Sequence, residues 1–181
     1  MKYTYQDLLD AREKLSEITY TFWLEHDLFT WRWWFLLAML IIPWLIWWRF
    51  WDKARFKTIA IAGLIAMTLA VFFDDLGVNT MSWSYPYQLV RVAGRLNVID
   101  VTVIPIMFMI LYQYFSKWKG YFIALLVAGA FGGYVGEPFL KWLDLYHKLD
   151  WTKWQSALSY IGIGIMVKGI TDWLIKQEKH T

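Results

Sequence analysis

The sequence predicts an all-α fold: a polytopic membrane helix bundle of about five transmembrane helices, preceded by an amphipathic N-terminal helix. Three observations predict it. Of the 181 residues, 59% are hydrophobic and 14 are Trp, with a mean hydropathy of +0.35, whereas a soluble domain is closer to half apolar. Charged residues divide the chain into uncharged windows of similar length, each close to what a helix needs to cross a bilayer. Tryptophans gather at the ends of those windows, as amphipathic indoles do at the two membrane interfaces.

Residues 1–30 form the N-terminal helix. Thr4 followed by Asp7 fits a capping box, and Leu8, Ala11, Leu15, Ile18 and Phe22 recur at steps of three and four, giving one apolar stripe. Asp10 and Lys14 are spaced to pair across one turn. The polar face is net acidic, so docking on the bundle, on a second copy or on a protein partner suits this helix better than an anionic membrane surface. These residues contain no apolar core of the signal-peptide type, and no cleavage is expected.

The bundle occupies residues 31–176, with spans at about 32–50, 57–75, 97–116, 119–140 and 154–175, and a tail at 177–181. Sixteen uncharged residues separate Arg32 from Arg49, Lys57 from Asp74, and Asp100 from Lys117. Seventeen separate Lys119 from Glu137, and 14 separate Lys153 from Lys168. Sixteen residues rise about 24 Å, slightly under the hydrocarbon thickness, so the flanking cations must reach outward to the headgroups. Pro43 and Pro105 fall inside spans one and three, where each frees a carbonyl. Ala62, Ala66 and Ala70 in span two, and Ala128, Gly129, Gly132, Gly133 and Gly136 in span four, permit close helix approach or homodimer contacts. Lys168 and Asp172 are one turn apart and read as an ion pair with its lysine snorkelling to the interface.

Five spans put the termini on opposite sides. The side bearing the N-terminus holds 12 acids against nine Lys/Arg, while the other concentrates eight Lys/Arg in short loops. The positive-inside rule then places the N-terminus outside and the C-terminus in the cytoplasm of a cell membrane. The basic stretch "RFWDKARFK" serves as an orientation signal. Absent cysteine excludes disulfides and thiolate metal sites, and a net charge of +3 does not point to nucleic acid.

The candidate site lies at the outer mouth. Asp74 and Glu137 close two spans that run the same way, so their carboxylates reach similar depth, and Asp100 with Asn97 opens span three at that level. Arg91 and Arg95 precede it, on one face if "YQLVRVAGR" is helical. Asp74 and Asp75 diverge by about 100° on a helix, so only one of them faces the bundle centre. Asp74, Asp75, Arg91, Arg95, Asn97, Asp100 and Glu137 are therefore candidates for a polar pocket under the aromatic loop. Asp74, Asp75 and Glu137 would be the ligands if a divalent metal is held there. The reading preferred for the same residues is a set of interfacial salt bridges that closes the bundle. No phosphate-binding loop, nucleophile elbow or paired-histidine metal helix occurs, no cofactor is predicted, and His26, His147 and His180 are scattered.

The stretches "MSWSYPYQLVRV", "VIPIMFMILYQYF" and "YVGEPFLKWLDLY" resemble a family of small, uncharacterised multi-pass membrane proteins of spore-forming Firmicutes. The resemblance covers residues 30–175 and implies a bacterial cytoplasmic-membrane protein, with no activity or catalytic residues attached. The expected role is a non-enzymatic accessory or partner-binding component in the lipid bilayer. The alternatives are a lipid-modifying enzyme with an acidic, metal-binding site, and a small transporter or channel, against which stands the lack of a carboxylate at mid-membrane.

Overall fold

The computed structural model describes residues 3–91 and 97–178. It is a helix bundle in which α2 (Trp31–Phe50), α3 (Phe56–Asn79), α6 (Trp118–Phe131), its continuation α7 (Glu137–Trp142), and α8 (Lys153–Glu178) run through the body. Four helical stretches are long and apolar enough to cross a membrane: Trp31–Phe50, Lys53–Asn79, Trp118–Trp142 and Lys153–Glu178. Where a fifth span was expected there is a shorter apolar helical stretch, Val98–Tyr114, which a break at Thr102 divides into α4 (Val98–Val101) and α5 (Val103–Tyr114). The cause is Pro105, whose ring clashes with the carbonyl of Val101 and leaves it without a donor. Pro43, by contrast, lies within an uninterrupted α2.

The N-terminal helix α1 (Tyr5–Phe22) begins as its capping box dictates, with Thr4 Oγ1 accepting from Asp7 N and Asp7 Oδ2 accepting from Thr4 N. None of its described residues is buried, and Asp10 accepts from Gln6 Nε2 rather than pairing with Lys14. A π turn, Trp23–Asp27, joins α1 to the loop before α2. There Trp23 Nε1 donates to Gln88 O, Asp27 Oδ2 accepts from Gln88 N, and Trp33 Nε1 donates to Leu89 O. Those three bonds hold residues 88 and 89 in the segment after α3, whose described residues 80–91 form no helix.

Small residues set the core. In α3 the buried stripe runs Ile59, Ala62, Gly63, Ala66, Ala70, Asp74, Gly77, which is the helical spacing of one inward face. Asp74 is inside because it follows Ala70 by four. A methyl group added at Gly63 would meet Met109 Cγ at 2.8 Å, and one at Gly133 would meet the Lys153 carbonyl at 2.6 Å. The glycines thus pack spans against one another within the monomer. Phe108, Tyr121, Leu125 and Val167 fill the centre, and Tyr121 OH donates to Gly164 O at 2.9 Å.

The end of the bundle opposite the N-terminal helix is locked by polar side chains. Asp52 caps the turn Lys53–Arg55, and Arg55 donates to Gln113 O. Lys168 does not snorkel: it is only 2% exposed, with its ammonium 3.2 Å from Asp172 and within 5.3 Å of the rings of Tyr112, Trp118 and Tyr121. The ion pair forms as the spacing predicts, but an aromatic cage supplies the environment that water was expected to supply.

Candidate functional site

At the end that carries the N-terminal helix, the loop after α3 meets the loop after α7 in one antiparallel rung. Trp83–Ser84 (β1) pairs with His147–Lys148 (β2), with Trp83 opposite Lys148. Leu149 N and Asp150 N both donate to Ser82 O and extend the junction. Beneath this rung is a cavity of about 290 Å³, lined by Asp74, Asn97, Asp100, Glu137 and several aromatic rings.

Each carboxyl arrives by its own route. Asp74 completes the inward stripe of α3, where its Oδ1 accepts from Trp83 Nε1 at 2.8 Å and from Tyr85 OH at 2.5 Å. Asp100 is brought in by α4, whose first turn is capped by Asn97 Oδ1 accepting from Ile99 N. Glu137 follows a second π turn, Gly132–Gly136, and precedes Pro138. Pro138 has no N–H to continue the ladder, and the widened turn is the local adjustment that swings Glu137 inward.

The three carboxyls have different partners. Glu137 is engaged by Lys148 Nζ at 2.6 Å, Ser156 Oγ at 2.7 Å and Tyr160 OH at 3.3 Å. Ser156 Oγ also accepts from Trp151 Nε1 and from Lys148 Nζ. Asp100 is 4% exposed, and its Oδ2 finds no donor among the described residues. Its carboxyl faces that of Asp74 closely enough for the two to interact. Two such groups stand side by side only if a proton, a cation or a donor lies between them. Burial pushes the Tyr85 phenol well up, and the two carboxyls reinforce the shift, so Tyr85 remains a donor. Tyr146, beneath the same rung, is raised by burial too.

The predicted constellation is thus assembled in part. Asp74, Asn97, Asp100 and Glu137 share the cavity. Asp75 points elsewhere, accepting from Asn79 Nδ2, as the 100° divergence requires. Arg91 is a correction: residues 85–91 form no helix, and its guanidinium donates to Ser16 O and Ser16 Oγ and lies over the Tyr20 ring. It clamps α1 to the loop and takes no part in the pocket. Arg95 lies outside the described residues, as does His180. With Asp75 turned away, the proposed trio of metal ligands is not gathered, and no group of three metal-binding side chains stands together among the described residues. His147 instead lies 2.6 Å from Asp144 Oδ1.

Sequence reasoning missed Trp83, Tyr85, Lys148 and Ser156. The first two were visible as part of an aromatic loop nine and eleven residues beyond Asp74, but nothing in the spacing tied them to that carboxyl. Lys148 had no signal, because its placement depends on a rung of two residues. Compared with protein-family models, curated proteins and solved structures, the chain matches none of them.

Proposed function

We propose that this integral membrane protein is a non-enzymatic binding component, and that the cavity under the Trp83–Lys148 rung holds the donor-bearing, cationic group of a ligand. The observation that carries the reading is the gathering of Asp74, Asp100 and Glu137 with Trp83, Tyr85 and Trp151 around one cavity. Lys148 engages Glu137, and the interacting Asp74–Asp100 pair keeps one negative charge even with a proton shared between the two carboxyls, so the cavity favours a positive group. The rings of Trp83, Tyr85 and Trp151 supply faces for it.

A metal-dependent lipid-modifying enzyme has less support, since Glu137 is occupied by three protein partners and Asp75 lies outside the cavity. The charge distribution supports an outer position for the cavity in a cell membrane. The test is thermal stability of the detergent-purified protein with ethanolamine, and separately with magnesium and calcium, beside Asp100→Asn and Asp75→Asn. Ethanolamine should stabilise the wild type and Asp75→Asn but not Asp100→Asn. Stabilisation by the divalent ions alone would overturn the reading in favour of a metal site; no shift with any of the three would leave the carboxyls as structural.

A further inference from the structure

Asp74 and Asp100 are left without a counter-charge at this end of the bundle. Both are buried, at 7% and 4% exposure, and both line the cavity under the Trp83–Lys148 rung. They come from different elements, α3 and α4, and their carboxyls are close enough to hydrogen-bond to each other. The side chains that reach them are neutral donors: Trp83 Nε1 and Tyr85 OH on Asp74, and Asn97 beside Asp100. Among the described residues, the other ionisable groups facing the pair are Asp75 on α3, Tyr146 from the loop after α7, and Tyr160 on α8, and none brings a positive charge. Lys148, the nearby cation, is engaged by Glu137.

Two carboxylates in contact inside a buried site cannot both keep their charge, and a proton held between them belongs to the pair rather than to either residue. Asp74 Oδ1 already accepts from Trp83 and Tyr85, which favours its ionised form and leaves Asp100 as the carboxylic acid that donates to it. A resident metal ion would need more ligands, and no group of three metal-binding side chains stands together among the described residues. A cation brought into the same cavity offsets the same second charge that the proton offsets. By linkage, each then weakens the hold of the other.

We infer that Asp74 and Asp100 share one proton, and that a cation entering the cavity displaces it to water, so that the site exchanges a proton for its ligand. The inference rests on the cation-binding reading above and adds its regulation. With the proton in place the pair carries one negative charge. With the cation it carries two, offset by the charge that entered, so the net charge of the chamber is unchanged. The cation has no need to touch Asp100, because its charge acts on the pair across the cavity. Acidification then releases the ligand. Below the pair's own titration, affinity for the cation rises by about tenfold per pH unit, the slope of one proton lost on binding.

The experiment is infrared spectroscopy of the detergent-purified full chain at about pH 7, where ordinary carboxyls are ionised and the ammonium of ethanolamine, like that of lysine, stays charged. The readout is the carbonyl stretch of a protonated carboxylic acid, with and without ethanolamine. Wild type and Asp75→Asn should show the band, and Asp100→Asn should lack the share of it that belongs to the pair; Asp27, unchanged in all three, cancels. Ethanolamine should remove the same share from wild type. The ethanolamine concentration that gives half of its thermal stabilisation should fall by about tenfold per pH unit over the same range. A band identical in wild type and Asp100→Asn would show that no proton is shared and overturn the inference, whatever ethanolamine does. Stabilisation that leaves the band in place and does not vary with pH would overturn the exchange and leave the cation reading standing. No stabilisation at any pH, with the band intact, would remove the cation reading and the exchange with it.

Discussion

Gly77→Ala tests whether the cavity roof is held against α3 as described. A Cβ at Gly77 would sit 2.5 Å from Trp83 Cε2 and closer still to the outer edge of the ring. Carbon atoms rest at about 3.5–4.0 Å, so the indole must retreat by about 1 Å or more. Its bond to Asp74, 2.8 Å long, would then exceed hydrogen-bonding range. Overpacking costs about 1–3 kcal/mol, and a hydrogen bond to a charged group contributes about 1.5–3 kcal/mol. The two losses share one displacement and do not add fully, so we expect about 2–4 kcal/mol of destabilisation. Against this stands the gain of Ala over Gly in a helix, about 0.5–1 kcal/mol. In a Trp83→Ala background only that gain remains, and the sign reverses. The assay is reversible unfolding of wild type, both single variants and the double variant in mixed micelles, followed by far-UV circular dichroism. Equal destabilisation by Gly77→Ala in both backgrounds would refute the reasoning, because the cost would not pass through Trp83.

Three further outcomes follow from the same packing and charge arguments. Lys148→Met should cost up to about 3–5 kcal/mol by leaving buried Glu137 without its counter-charge, and adding Glu137→Gln should recover most of it in the same unfolding assay. Gly164→Ala should cost about 1–3 kcal/mol, since its Cβ would lie 2.8 Å from Phe108 Cε1 and 2.9 Å from Leu125 Cδ2, whereas Gly162→Ala, with nothing within 4 Å, should stabilise by about 0.5–1 kcal/mol. Asp27 is buried at the base of the loop, and burial raises its pKa against the opposing effects of Gln88 N–H and His26. A raised folded value means stability that is full below the ordinary carboxylate pKa of about 4 and lost as pH rises through the folded value. Wild type should therefore lose stability relative to Asp27→Asn over that window, and parallel profiles would refute it.

The passes were legible because charge and tryptophan mark bilayer boundaries whatever the tertiary contacts. The inward position of Asp74 was legible as well, through its spacing from Ala70 and its divergence from Asp75. Arg91 was not, because the reading needed a helix that the Tyr85–Arg91 loop does not form; three side-chain bonds from Trp23, Asp27 and Trp33 shape that loop instead. Lys168 was misread for a related reason. Its depth in the chain indicated a lysine that must escape, while the rings of Tyr112, Trp118 and Tyr121, distant in sequence, give it a place to stay.

The rung between Trp83 and Lys148 has a consequence for how this end of the molecule comes apart. Trp83 holds Asp74, Lys148 holds Glu137, and the two residues are neighbours across a single backbone pairing. Neither carboxylate can lose its loop partner by backbone motion without straining the other's. The two loops, whose partners Trp83 and Lys148 are 65 positions apart in sequence, therefore form one cooperative opening unit. Amide exchange at Ser82, Leu149 and Asp150 should report a single shared free energy, and the two acidic ends of the chamber should meet water in the same event.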